Sequence, residues 1–177
     1  SLTECNVRGN KLNSESATLL AKVAGEKRIM LFGIKHDQKQ ADFKEQDLRP
    51  VDAILIASDL RVSRVLTSLD LRHNGIGVKG AKAFANALKS DTTVLTKLNL
   101  DGFELNIPQL RGTEPVETLD LSWKACRKGL TPASAIVIAS LIEGNAVLTS
   151  LNLSANALCG VRYGQGTYDA SGIKALA

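Results

Sequence analysis

Leu66-Thr67-Ser68-Leu69-Asp70-Leu71-Arg72-His73-Asn74-Gly75-Ile76 decides how this chain folds, because Leu148-Thr149-Ser150-Leu151-Asn152-Leu153-Ser154-Ala155-Asn156-Ala157-Leu158 repeats its pattern. Both segments read L-x-x-L-x-L-x-x-N-x-[IL], and repetition of this kind marks an architecture of stacked units. Outward from these two copies, Leu2, Cys5, Val7, Asn10 and Leu12 fit the same frame. Leu95, Leu98, Leu100 and Leu105 fit it with Phe103 in the asparagine's place, and Val116, Leu119, Leu121 and Cys126 fit it with Lys124 there.

The frame has a physical reading. Apolar residues alternating at L-x-L have the period of a strand, so they point to one side and the residues between them to the other. A single unit cannot bury its own apolar face, whereas stacked units share a continuous core. The asparagine turns the chain after the strand, where its amide satisfies backbone groups that would otherwise be buried unpaired. A second shared segment follows the first. Residues 53–60, 81–88 and 136–141 are rich in alanine and place apolar residues at helical spacing. Gly80 and Pro132 stand just ahead of two of these helices as punctuation.

Over nearly the whole chain these residues resemble the leucine-rich repeat family, in its ribonuclease-inhibitor-like branch. The resemblance implies units of strand, turn and full helix, about 28 residues each. It implies an α/β fold: a right-handed leucine-rich-repeat solenoid, or horseshoe, with a parallel inner sheet, outer helices and irregular repeats. Helices take more room than strands, so such a stack curves. Relatives in this branch inhibit ribonucleases, sense ligands in NOD-like receptors, cap actin filaments or activate the Ran GTPase. None of these roles transfers, because each depends on residues outside the frame.

The frames begin at residues 2, 66, 95, 116 and 148, so the repeat is irregular. Between Leu95 and Val116 there is no room for a full helix, and residues 106–112 are expected as an extended or single-turn connection that dents the outer surface. Two strands compete in the first third of the chain. Ile29 to Ile34 matches L-x-x-L-x-L, while Phe43-x-x-Gln46-x-Leu48 matches the second half of the frame. One unit split by about ten residues accommodates both, with His36 to Gln40 in a protruding turn. Residues 159–169 read as a glycine-rich loop ahead of a helix that begins near Ala170. The whole of 1–177 is expected to be one leucine-rich repeat domain and a fragment of a longer array. On that view the solenoid ends contact further repeats or a neighbouring subunit.

Composition narrows the function. The chain has 177 residues, 44% of them hydrophobic and 23% charged, which is the balance of a globular domain. Its net charge of +4 comes from 22 basic and 18 acidic residues interspersed, with no basic block and no interleaved aromatics. This argues against nucleic acid as the partner. Cys5, Cys126 and Cys159 have no metal-ligand or disulfide spacing and fit a reducing, cytoplasmic setting. Cys5 and Cys126 are expected in the core, and no apolar run is long enough to span a membrane.

Motifs with chemistry are weak. Gly75-Ile76-Gly77-Val78-Lys79-Gly80 reads G-x-G-x-x-G after a strand, with Asp101 about 20 residues on, in the manner of a dinucleotide site. The repeat explains it better, since Asn74 and Ile76 are the frame's own turn residues. No cofactor is expected. His36 and His73 fall at equivalent places after successive strands and supply too few ligands for a metal. No Ser/His/Asp or Cys/His arrangement can be assembled from two histidines.

The remaining candidate is the concave face of the strands. Residues between the leucines form one outward column of Asn6, Asp70, Asn99, Asp120 and Asn152, and a second of Arg8, Arg72, Asp101, Ser122 and Ser154. A third holds Gly9, His73, Gly102, Trp123 and Ala155. The expected partner-binding residues are Arg8, Asp70, Arg72, His73, Asn99, Asp101, Asp120, Trp123 and Asn152. Trp123, placed by the frame as exposed beside Asp120, either anchors a partner or folds back over the turn. The Asp/Asn column either meets a partner or satisfies itself along the ladder. The function this supports is a non-catalytic module that binds a protein partner. A structural span in a large assembly is one alternative. Another is a regulator of an enzyme such as a small GTPase, with Arg111, Arg127 or Arg162 as the polar contact.

Overall fold

The computed structural model describes residues 2–123, 129–161 and 164–177. Short strands alternate with helices. Helix α1 is Ser14–Lys27, strand β1 is Gln40–Asp42, α2 is Pro50–Val62, β2 is Ser68–Asp70, and α3 is Gly77–Leu88. A hairpin of β3 (Lys97–Asn99) and β4 (Glu104–Asn106) follows, then the single turn α4 (Ile107–Arg111). Strand β5 (Thr118–Asp120), α5 (Pro132–Ile142), β6 (Ser150–Asn152) and α6 (Ser171–Leu176) complete the chain.

Local chemistry starts these helices. The Asn13 side chain accepts a hydrogen bond from the Ser16 amide at the head of α1, and the Asp52 carboxylate accepts from the Arg49 amide ahead of α2. Pro50 and Pro132 open α2 and α5, where a missing N–H is harmless. The helices line up side by side, with α2 packed on α1 and α3, and α5 packed on α3 and α6. The inner members are therefore apolar almost all round. Ala53, Leu55, Ile56, Ala57 and Leu60 of α2 are buried, as are Ala135, Ile136, Val137 and Ile138 of α5. Gly80 lies inside α3, not ahead of it. An added methyl group there would come within 2.6 Å of the Ala53 Cβ and 2.7 Å of the Ile76 side chain, so the glycine lets α3 close on α2.

Strands β1, β2 and β3 pair in parallel, with Ala41 opposite Leu69 and Leu69 opposite Leu98. The all-parallel expectation fails at β4, which runs antiparallel to β3 and sets Leu105 opposite Leu98. Leu105 is thus the central residue of a returning strand and does not occupy the turn position of the frame. The cause lies in the sequence: Phe103 stands where the frame has asparagine, so the turn found elsewhere cannot form. The chain instead reverses at Gly102, whose φ is 91° and whose amide donates to the Asn99 side chain at 2.7 Å. Strands β5 and β6 form a separate parallel pair. Residues 107–111 make the single turn expected between the third and fourth frames, and α3 packs directly on α5.

The competition in the first third resolves cleanly. Residues 40–42 supply the sheet strand, so the protruding turn ends at Lys39. Met30 makes only an isolated parallel bridge to Glu4, yet Met30, Leu31, Phe32 and Ile34 are all buried. Cys5, expected in the core, is exposed, because its segment has a strand neighbour on one side only. The helix near Ala170 is present as α6. Lys124, Cys126, Arg127, Arg162 and Tyr163 lie outside the described residues.

Candidate functional site

Asn74 shows how the frame is built. Its Nδ2 donates at 2.8 Å to the carbonyls of Phe43 and Leu71, one in the preceding unit and one in its own. Its Oδ1 accepts from the amides of Gln46 and Leu48 at 3.1 and 3.0 Å. Asn156 repeats this, donating to Leu121 and Leu153 and accepting from Leu130. Asn10 makes the intra-unit bond to Val7. Asn74 and Asn156 each tie two units together through groups that would otherwise be buried unpaired.

The exposed strand face is equally regular. In the column Asn6, Asp70, Asp120 and Asn152, each side chain accepts the amide two residues on, at 2.9–3.1 Å. Asp42 does the same with Lys44 and belongs to this column. These are Asx turns that end each strand, so the column's composition has a local cause. Asp120 is exposed, and the Ser122 amide and hydroxyl, with help from Asn152, hold its carboxyl below its ordinary range. Asp42 escapes the frame because Ala41 replaces leucine and Gln46 replaces asparagine. The 28-residue offset from Gln40 to Ser68 is the cue that locates it.

The structure brings the expected residues together in two groups. On the first sheet, Arg72 pairs with Asp70 at 2.9 Å, beside Asn99 opposite Asp70 and the exposed His73. Exposed Arg8 lies near the Phe32 and Phe43 rings, its guanidinium 4.9 and 5.3 Å from their centroids, and it donates to Gln46 at 2.5 Å. Those two rings meet edge to face at 5.4 Å. The arginine is thus a positioned cation above an aromatic pair. On the second sheet, Asp120 lies opposite Asn152, and Trp123 is half-buried, between the two expected alternatives of an exposed anchor and a side chain folded back over the turn. The Trp123 amide donates to the Ser154 carbonyl.

Asp101 stands apart. Its carboxylate accepts from the Thr131 amide at 2.9 Å, the Thr131 hydroxyl and the Ser134 hydroxyl, so it caps the start of α5. This also accounts for the acidic residue of the glycine motif without a dinucleotide. His36, in the turn before β1, donates from Nε2 to the Thr3 carbonyl at 3.1 Å, so it is not equivalent to His73, which follows β2. Among the described residues no group of three metal-ligating side chains occurs, and no helix is long and apolar enough to cross a membrane. Arg111 ends α4 half-buried, with desolvation lowering its pKa.

Sequence reasoning missed Asp59. It is fully buried in α2, and its two oxygens accept from the Leu31 and Phe32 amides at 2.6 and 2.8 Å. Residues 53–60 carried only the signal of a helix, and nothing local marks the distant segment that Asp59 holds.

With this geometry in view, one comparison is informative. Residues 62–85, from the end of α2 through β2 into α3, match a family model described as a Leucine Rich repeat. No curated protein matches the chain. The segment around Asn74 is therefore similar to a leucine-rich repeat.

Proposed function

We propose that the chain is a non-catalytic protein-interaction module, a curved leucine-rich-repeat solenoid of the ribonuclease-inhibitor-like kind that binds a protein partner on its strand face. Support comes from the 28- and 29-residue offsets between β1, β2 and β3, from the asparagine ties, and from the repeat match. The observation that carries the reading is the strand face itself. In the four-stranded sheet the inward row of Ala41, Leu69 and Leu98 is buried, and in the second sheet Leu119 and Leu151 are half-buried, while Arg72, His73, Asp120 and Asn152 stand within or just beyond strands held in fixed register. Side chains already ordered by turns and ion pairs give up little entropy on binding. Charged residues at such a surface govern partner choice and association rate more than raw affinity. The free thiols of Cys5 and Cys159 suit a reducing compartment.

The test compares the parent with Arg72→Glu/Asp120→Lys, which reverses charge on both sheets, after circular dichroism has confirmed equal folding. Partners captured from lysate are identified by mass spectrometry, purified, and titrated against both proteins. The expected result is loss of a partner that binds the parent directly, by roughly tenfold or more in Kd. Equal affinity for every captured partner overturns the strand face as the binding surface.

A further inference from the structure

Across the helix layer runs a second concave feature that the strand-face reading does not use. A groove of about 750 Å³ crosses α1, α2 and α3. Ala21, Gly25, Ile54, Ala57 and Ala83 contribute its apolar floor. Lys22, Arg61, Lys79 and Lys82 stand around it, all exposed, against a single acidic residue, Glu26, among the described lining residues. None of the four cations takes part in an ion pair among the described residues, although other surface charges do, such as Lys97 with Glu104. A chain with interspersed charges has here gathered four cations outside any close ion pair, although Lys82 also feels the Asp169 carboxylate.

We propose that this groove is a docking site for an acidic amphipathic helix of a partner protein. The argument is charge complementarity around an apolar floor. A helix can lay an apolar stripe into a hydrophobic groove and direct flanking Glu or Asp outward to the lysines. Single-stranded nucleic acid fits less well, because among the described residues no aromatic side chain lines the groove to stack a base. An anionic bilayer is flatter than the groove and would leave its apolar floor uncovered. Two distinct surfaces on one module allow it to bridge two partners, which a single strand-face site does not.

The probe is a synthetic peptide helix with glutamates on one face and leucines on the other, titrated by fluorescence anisotropy. The comparison peptides have the same composition with a central proline, or lysine in place of glutamate. The parent should bind the acidic helix with an affinity that falls as salt is raised, and neither comparison peptide should match it. Lys22→Glu/Lys79→Glu should weaken binding by roughly tenfold. Ala83→Trp, which fills the groove without changing charge, should do the same. Circular dichroism confirms that the variants fold, and Arg72→Glu on the strand face should leave binding unchanged. Equal binding of the proline peptide, tighter binding of an oligonucleotide of equal charge, or unaltered binding by Ala83→Trp overturns the proposal.

Discussion

Gly9, Glu45, His73, Gly102 and Ala155 all have positive φ, between 56° and 91°. Each stands directly before the turn residue of its unit. The left-handed region suits glycine and penalises a residue with a Cβ by about 1–2 kcal/mol. Apart from Trp123, the column is therefore set by a backbone demand as well as by what faces outward. Its two glycines are legible in the sequence as that demand, while His73 hides it by looking like a ligand. Ala155 is exposed, so replacing it adds no clash and opens no cavity. Ala155→Gly is expected to stabilise the chain by about 0.5–1 kcal/mol, the relieved strain exceeding the extra entropy of an unfolded glycine. Chemical denaturation measures this, and a lower midpoint with unchanged slope would contradict the assignment of strain to this position.

Among the elements, α5 depends most on a residue outside itself. Thr131 caps α5 by accepting from the Ala133 amide, while Asp101 accepts from the Thr131 amide and from both nearby hydroxyls. Asn145 works at the other end of α5, donating to the carbonyls of Gln109 and Leu110 in α4. Polar side chains thus join the hairpin unit to the next one, where β3–β4 and β5–β6 form separate sheets. Asp101→Ala should cost about 2 kcal/mol by leaving the Thr131 amide and two hydroxyls without their acceptor. Thermal melts of parent and variant measure it, and a loss under about 0.5 kcal/mol would show that water replaces the carboxylate. The sequence announces α5 through Pro132 and its apolar run, and announces the short α4 through the spacing of frames. It does not announce the cap, since Asp101 and Thr131 belong to different units and meet only when the hairpin turns back. The hairpin has a visible cue in Phe103, but the missing asparagine says only that the usual turn fails, not which turn replaces it.

At the scale of the whole molecule, the helix layer and the strand layer are held together partly through one buried acid. Asp59 projects from α2 and accepts the Leu31 and Phe32 amides, fixing a buried segment held to residues 3–7 by one parallel bridge and a few backbone hydrogen bonds. Burial pushes its carboxyl up to about 7, against the lowering effects of the two amides and of the His36 charge. An unfolded aspartate titrates near 3.9. Between roughly pH 4 and 7 the unfolded chain therefore releases a proton that the folded chain keeps, and stability falls as pH rises through that window. Below it the contribution is complete, and above it the loss is constant, on the order of a few kcal/mol at about 1.4 kcal/mol per pKa unit. Asp120, Glu143 and Asp169 are shifted the other way, so their contributions are lost as pH falls toward the acid range. The difference between parent and Asp59→Asn removes these shared terms. Asp59→Asn gives up one of the two amide bonds and is expected to be less stable at pH 4. That deficit should shrink steadily up to pH 7, since the amide has no proton to lose. Denaturation midpoints at half-unit intervals of pH measure the difference. Parallel profiles for the two proteins from pH 4 to 7 would mean that Asp59 is already ionised throughout the window, with its two amide bonds outweighing its burial.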